Sequence, residues 1–160
     1  MGLVMGVDGF MAETPMKKAL LLAREAYEVN EVPVGAVIVS AQGEIVAEAR
    51  NRIVELDDAT AHAELLAIRA ASLRLGTARL LDCDLYVTLE PCTMCAGAIS
   101  LARLRRVYFA AYDPKGGGVE HGACFFDQPT CHHRPEVYGG IMEQEAAQLL
   151  RDFFQEKREK

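Results

Sequence analysis

No apolar run in this chain approaches the roughly 20 residues of a membrane-spanning helix, so no segment reads as a helical membrane span. The first ten residues, Met1-Gly-Leu-Val-Met-Gly-Val-Asp-Gly-Phe10, have no basic cluster ahead of their apolar ones and do not read as a secretion signal. Positive charge is in the minority: 17 Lys and Arg stand against 23 Asp and Glu, a formal net charge of -6. That balance argues against holding nucleic acid through the field of the whole protein, though it leaves a local basic patch open. Cysteine is sparse and odd in number, at positions 83, 92, 95, 124 and 131. With no secretion signal, this suggests a reducing compartment, the cytoplasm, rather than a disulfide framework. Internal repeats, linkers and low-complexity segments are also missing.

What is present is the composition of one folded domain: 160 residues, 51% hydrophobic and 25% charged. Thr14-Pro15 reads as an N-cap with Pro at the first helical position, and apolar residues at 16, 19, 20, 23, 26 and 27 predict a helix over 15–29. Val34–Val39 and Ile45–Asn51 flank the turn Ala41-Gln42-Gly43 and predict a hairpin. Residues 52–60 read as a loop. Thr60 is the expected cap of a helix from 61 to about 73. Leu85–Leu89 is a third strand, 93–102 a helix opened by Pro91, and Val107–Ala111 a fourth strand. The segment 112–136 has no periodicity and holds Gly116-Gly117-Gly118, three of the four histidines and two cysteines; a connection this long inside a compact domain is commonly functional. Glu136–Tyr138 is a candidate fifth strand, and Gly139–Phe154 a closing amphipathic helix with a charged tail. Strands alternating with helices indicate an α/β domain. Residues 1–13 are expected to be disordered or a non-native extension.

The chemistry concentrates in His62-Ala63-Glu64 and Pro91-Cys92-Thr93-Met94-Cys95. Cys92 and Cys95 are three apart, so one helical turn points both sulfurs the same way. The positive end of that helix and a metal both favour thiolate. With His62 they make three ligands for one zinc per chain, the number a catalytic site uses when it leaves the fourth position for water. Two such helix starts, side by side at the ends of adjacent strands, would form a cleft with the metal at its floor. Glu64 would point about 200° away from His62 in the middle of a helix, but at a helix entrance both can face one cavity. That gives Glu64 the part of a proton shuttle. Competing readings are a thioredoxin-type dithiol and a closed structural zinc whose fourth ligand comes from Cys83, Cys124, Cys131, His121, His132 or His133. The same cysteines and histidines of 121–133 could also hold a second metal.

His-x-Glu followed by Pro-Cys-x-x-Cys is the signature of zinc deaminases. The flanks, Glu31-Val-Pro-Val-Gly-Ala-Val37, Asn51-Arg52, Thr60-Ala-His-Ala-Glu64, Leu85-Tyr-Val-Thr-Leu-Glu-Pro-Cys-Thr-Met-Cys-Ala-Gly-Ala98 and Asp152-Phe-Phe154, narrow it. Over about 14–155 the chain resembles the bacterial tRNA-specific adenosine deaminases, a branch of the zinc-dependent cytidine/deoxycytidylate deaminase superfamily. The resemblance implies a single deaminase domain over 14–160. Its fold would be a cytidine-deaminase-like three-layer α/β/α sandwich around a five-stranded mixed sheet, and it would work as a homodimer. It also implies that Asn51 hydrogen-bonds the purine, that the Ala63 backbone N–H holds the oxygen at the reacting carbon, and that Val34 lines the base pocket. Asp113 would meet the nucleotide backbone, Phe154 would pack by the bound loop, and His133-Arg134 would lie near the RNA. Two departures stand out: Asp58-Ala59-Thr60 lacks the family's usual proline, and 112–135 differs from the family pattern beside the expected substrate entrance.

The resulting expectation is a zinc-dependent hydrolase that cleaves an amidine C–N bond, turning adenosine into inosine at the wobble position of a tRNA anticodon loop. Lys115, Arg134, Arg151, Lys157, Arg158 and Lys160 are candidate basic contacts, or equally a solvated helix end. The alternatives are a deaminase of a free base or nucleoside (guanine, cytosine or a related ring), and a zinc-stabilised binding module.

Overall fold

Thr14 caps the first helix, α1 (Pro15–Glu28), by accepting the Lys17 N–H, and Pro15 costs nothing at a position whose N–H has no helical partner. The computed structural model describes residues 14–159; the expectations for residues 1–13 and for Lys160 lie outside them. After α1 come β1 (Gly35–Val39), β2 (Ile45–Arg50), a one-turn helix α2 (Ile53–Leu56), α3 (Ala63–Leu75), β3 (Asp84–Leu89), α4 (Thr93–Leu101), β4 (Arg106–Ala111), a 3-10 turn (Phe125–Asp127), β5 (Glu136–Gly139) and α5 (Glu143–Glu159).

The five strands form one mixed sheet in the order β2-β1-β3-β4-β5. The hairpin β1/β2 and the pair β1/β3 are antiparallel, while β3/β4 and β4/β5 are parallel. Side-chain alternation sorts the core into two layers. Ala36, Ile38, Leu85, Val87, Val107 and Phe109 pack with α3 and α4 through Ala63, Ala67, Ile68, Ala96 and Ile99. Val37, Val39 and Ala110 face the opposite way, onto Met16, Ala19 and Leu20 of α1 and Ala146 of α5. Buried strands with helices on both faces are the three-layer α/β/α sandwich the resemblance implied.

Four expectations need correction. Thr60 does not cap α3: its N–H and its hydroxyl both donate to Asp58 Oδ1, at 2.8 and 2.7 Å, and the helix begins at Ala63 with His62 at the N-cap. The loop 52–60 contains α2. The closing helix begins at Glu143 rather than 139, because 136–139 pairs with β4 and the chain turns through left-handed backbone at Gly140 and Met142 before it can coil. That helix runs on to Glu159, so the charged tail is helical. Finally, the strands that feed α3 and α4 are β2 and β3, which are not neighbours but flank β1.

Phe109 is fully buried at the middle of the sheet. Phe109→Ala is expected to cost about 3–5 kcal/mol, a large share of a domain's usual stability; urea unfolding followed by circular dichroism measures it.

Candidate active site and metal centre

The three candidate metal ligands stand at two helix starts. His62 is the N-cap of α3 and keeps extended backbone (φ -76°, ψ 148°), so its ring need not follow the helical spiral and can share a cavity with Glu64. Cys92 is likewise the N-cap of α4, and Cys95 lies one turn on. Neither cap residue spends its side chain on the helix backbone. His62 Nδ1 lies 3.7 Å from Cys92 Sγ and 3.6 Å from Cys95 Sγ. Bonds of about 2.0–2.1 Å to nitrogen and about 2.3 Å to sulfur at the tetrahedral angle place such atoms about 3.6 Å apart, so the three residues fit zinc. Among the described residues they are the one group of His, Cys, Asp or Glu whose ligand atoms converge in this way.

The closed-site and second-metal readings therefore lose their ligands. His121 Nδ1 is 2.8 Å from Glu90 Oε1, and Cys131 Sγ lies against Ser100 Oγ and the His133 carbonyl. All five cysteines are free.

The electrostatics follow from crowding. Cys92 is pushed down to about 4, first by the hydrogen bond from Cys95 and then by His62, against the opposing effect of burial. Cys95 moves up for the reciprocal reason. Burial is the main cause that raises Glu64 to about 7, with the nearby Cys92 charge adding to it.

Next to the triad is a cavity of about 270 Å³. Val32, Val34, Ile53 and Leu89 give it apolar walls; Asn51, His62, Glu64 and Cys92 give it a polar floor; Glu90, Asp113 and Gly116 close the far edge. Of the expected site residues, Val34, Asn51, Glu64 and Asp113 thus meet the ligands His62 and Cys92. Phe154 lines an adjoining hollow that also contains Leu89 and Asp113. Three others behave differently. The Ala63 N–H, expected to face the reacting carbon, donates to Asn51 Oδ1 at 2.8 Å. That bond fixes the Asn51 amide and leaves its nitrogen as the donor on the cavity side. The His133 ring lies 2.6 Å from the Leu104 carbonyl, and Arg134 pairs with Asp127. Neither lines the cavity.

Two buried acids were missed as site residues. Glu31 accepts the Val54 and Glu55 N–H groups and so anchors α2, which carries the wall residue Ile53. Glu90 grips the 113–121 segment. Burial alone would raise its carboxyl, but N–H donors from Asp113, His121, Glu120 and Val119 more than offset that and hold it low. The available signal was an acid set among apolar neighbours, Leu89-Glu90-Pro91 beside a ligand and Glu31-Val32-Pro33 before a strand.

His62→Ala, Cys92→Ser and Cys95→Ser are each expected to lower bound zinc from one per chain to a small fraction, while Glu64→Ala keeps it. Elemental analysis of the purified variants decides.

Comparison with known proteins agrees with this geometry. The family model for the cytidine and deoxycytidylate deaminase zinc-binding region matches residues 11–111. A tRNA-specific adenosine deaminase of Agrobacterium fabrum is 59% identical over 143 residues, 89% of this chain and 93% of that protein. A solved structure from a study of A-to-I editing by tRNA:A34 deaminases at the wobble position of transfer RNA superposes with a TM-score of 0.83 at 58% identity; the match covers 85% of this chain and 98% of that one. A guanine deaminase from Nitrosomonas europaea superposes with a TM-score of 0.71 at 25% identity over 95% of this chain and 96% of that one. With a zinc-binding family model matched over residues 11–111 and three side chains placed to hold a metal ion, the chain belongs to the cytidine and deoxycytidylate deaminase family.

Proposed function

We propose that this chain hydrolyses adenosine to inosine at the wobble position of a tRNA anticodon loop. The exocyclic C6–N bond breaks, a C6–O bond forms and ammonia leaves. An anticodon loop already presents its bases outside a duplex, so moving one into the cavity costs little. Zinc held by His62, Cys92 and Cys95 would supply Lewis acidity and lower the pKa of a water at the reacting carbon. The chain's own residues do the rest. Glu64, buried and with a carboxyl near neutrality, can take a proton and return it to the departing nitrogen. The Asn51 amide, fixed by the Ala63 N–H, points a donor at a purine ring nitrogen. Val34 and Leu89 flank the ring faces.

The observation that carries the polynucleotide reading is the continuation of the cavity. Past Asp113 it opens to the hollow of Tyr112, Leu150 and Phe154, and from there to a groove of about 640 Å³ along α5. Lys115, Arg151, Lys157 and Arg158 line that groove with Phe154. Residues 151, 154, 155 and 158 recur at helical spacing on one face. Among the described residues none of these four cations is in an ion pair with a carboxylate. A single free base would need none of them; successive phosphates would.

We also read the enzyme as a cytoplasmic homodimer. Free cysteines support the compartment. Val54, Leu73 and Leu101, exposed on α2 and on the contacting helices α3 and α4, support self-association. Sedimentation that gives a monomer at micromolar concentration would overturn the dimer.

The test is ammonia release from an anticodon stem-loop, adenosine, guanine and cytosine. The stem-loop is expected to be turned over with by far the highest kcat/KM, and Glu64→Ala to lose at least about a thousandfold. Turnover of guanine or cytosine but not of the stem-loop would instead favour the free-base reading. Arg151→Ala is expected to lower kcat/KM on the stem-loop several-fold and flatten its log–log salt dependence by about one unit.

A further inference from the structure

We propose that Glu90 is a positioning residue: it latches the 113–121 segment into place as the far wall of the base pocket, and so sets which substrate fits. Its side chain is completely buried and receives five donors from that one segment. Oε1 accepts the Asp113 N–H at 3.0 Å and lies 2.8 Å from His121 Nδ1. Oε2 accepts three consecutive backbone N–H groups, from Val119 at 3.2 Å, Glu120 at 2.8 Å and His121 at 3.1 Å. Three successive amides aimed at one oxygen form an anion cradle that only an acceptor can fill.

The two ends of the latched segment differ in what they do. At one end Asp113 and Gly116 face the cavity. At the other, Val119 joins the hydrophobic core. Between them the segment lies so close to the site that side chains are excluded. A Cβ at Gly117 would collide with the Glu90 carboxylate, and one at Gly118 with the backbone of Thr93, the first residue of α4. The Gly118 N–H also donates to the Pro91 carbonyl. The wall is thus referenced to the same Pro91-Cys92-Thr93 corner that carries a metal ligand. Hydrophobic packing alone fixes position loosely along a surface, whereas five directed bonds to one carboxylate fix it in all directions.

Glu90→Gln keeps the shape but replaces one acceptor with an NH2 donor, which faces either the three N–H groups at Oε2 or the Asp113 N–H and His121 Nδ1 at Oε1. A buried donor left facing a donor weakens the local structure about tenfold or more in population. On zinc-loaded protein, amide exchange at Val119, Glu120 and His121 is expected to quicken at least about tenfold in Glu90→Gln, with β3 and β4 unchanged and zinc at one per chain. Steady-state turnover of the stem-loop should lose about tenfold in kcat/KM, mainly through KM, because Glu64 stays on α3. His121→Ala removes one of the five donors and should give a smaller change of the same kind. Unchanged exchange at 119–121 would overturn the latch, and so would a fall in kcat that tracks zinc loss. The inference rests on the substrate reading only for its assay. Wild-type turnover of the stem-loop tests that reading alone, and if another base proves to be the substrate, the variant-to-wild-type ratio on that base tests the latch.

Discussion

The structure is organised by the need to bring one imidazole and two sulfurs to tetrahedral distance from two separate helices. Cys92 and Cys95 share a turn and meet without help. His62 reaches them only because α3 starts where it does. The Asp58 turn consumes Thr60, and the Asn51 side chain consumes the Ala63 N–H. Asn51 follows β2, and its own N–H donates to the Val34 carbonyl at the entrance to β1. Arg52 N–H donates to the Ala61 carbonyl across the same gap. A central strand that neighbours both β2 and β3 therefore sets how far His62 stands from Cys92. The close packing of small residues, Ala63, Ala67 and Ala96, lets α3 and α4 approach each other on that face.

The pairing of the two sulfurs was readable because its spacing rule is local. A Cys-x-x-Cys at a helix start says by itself that both sulfurs share a face, whereas His62 and Glu64 share a cavity because His62 is the extended N-cap, which the spacing alone does not say. The sheet was readable for a similar reason: Ala36 to Val39 and Leu85 to Val87 are apolar on both faces, which marks central strands. What was hidden depends on partners distant in sequence. Thr60 is the exception: its partner Asp58 is only two residues away, and a short side chain can bond its own neighbours as readily as it can cap a helix. Nothing near Gly139 fixes whether it ends the fifth strand or begins the closing helix, until Phe109 is placed beside it. Glu90 could be seen as an acid beside a ligand, but its donors lie 23 to 31 residues downstream. The irregular look of 112–135 has the same origin. A segment ordered by one buried carboxylate needs no hydrophobic period, so it carries none.

Glu31 and Glu90 show how a pocket can be firm at its mouth as well as at its floor. Loop walls usually move more than the elements that carry them. Here each wall has a buried carboxylate behind it, Glu31 behind α2 and Glu90 behind 113–121. Leaving such acids buried without donors would be costly. Apart from the His121 ring, α2 and the 113–121 segment supply those donors as backbone N–H groups, which survive changes of side chain. Outside Gly117 and Gly118, where a Cβ has no room, and His121, whose ring is a donor, residue identity can then vary while the wall keeps its place.

The acidic balance of the chain fits a polyanionic substrate once charge is considered by location. At -6 overall, the protein repels RNA at long range and gains little from contacts that use only general field. At physiological ionic strength the reach of any charge is about 8 Å, so a bound strand responds to what lines its groove rather than to the sum. Lys115, Arg151, Lys157 and Arg158 line one groove that shares Leu150, Arg151 and Phe154 with the hollow beside the cavity. Only an RNA whose phosphates follow that path while its base enters the cavity collects all four attractions at once. The net negative charge thus works toward selectivity, because it lowers the affinity of every unproductive arrangement while the local cations preserve the productive one.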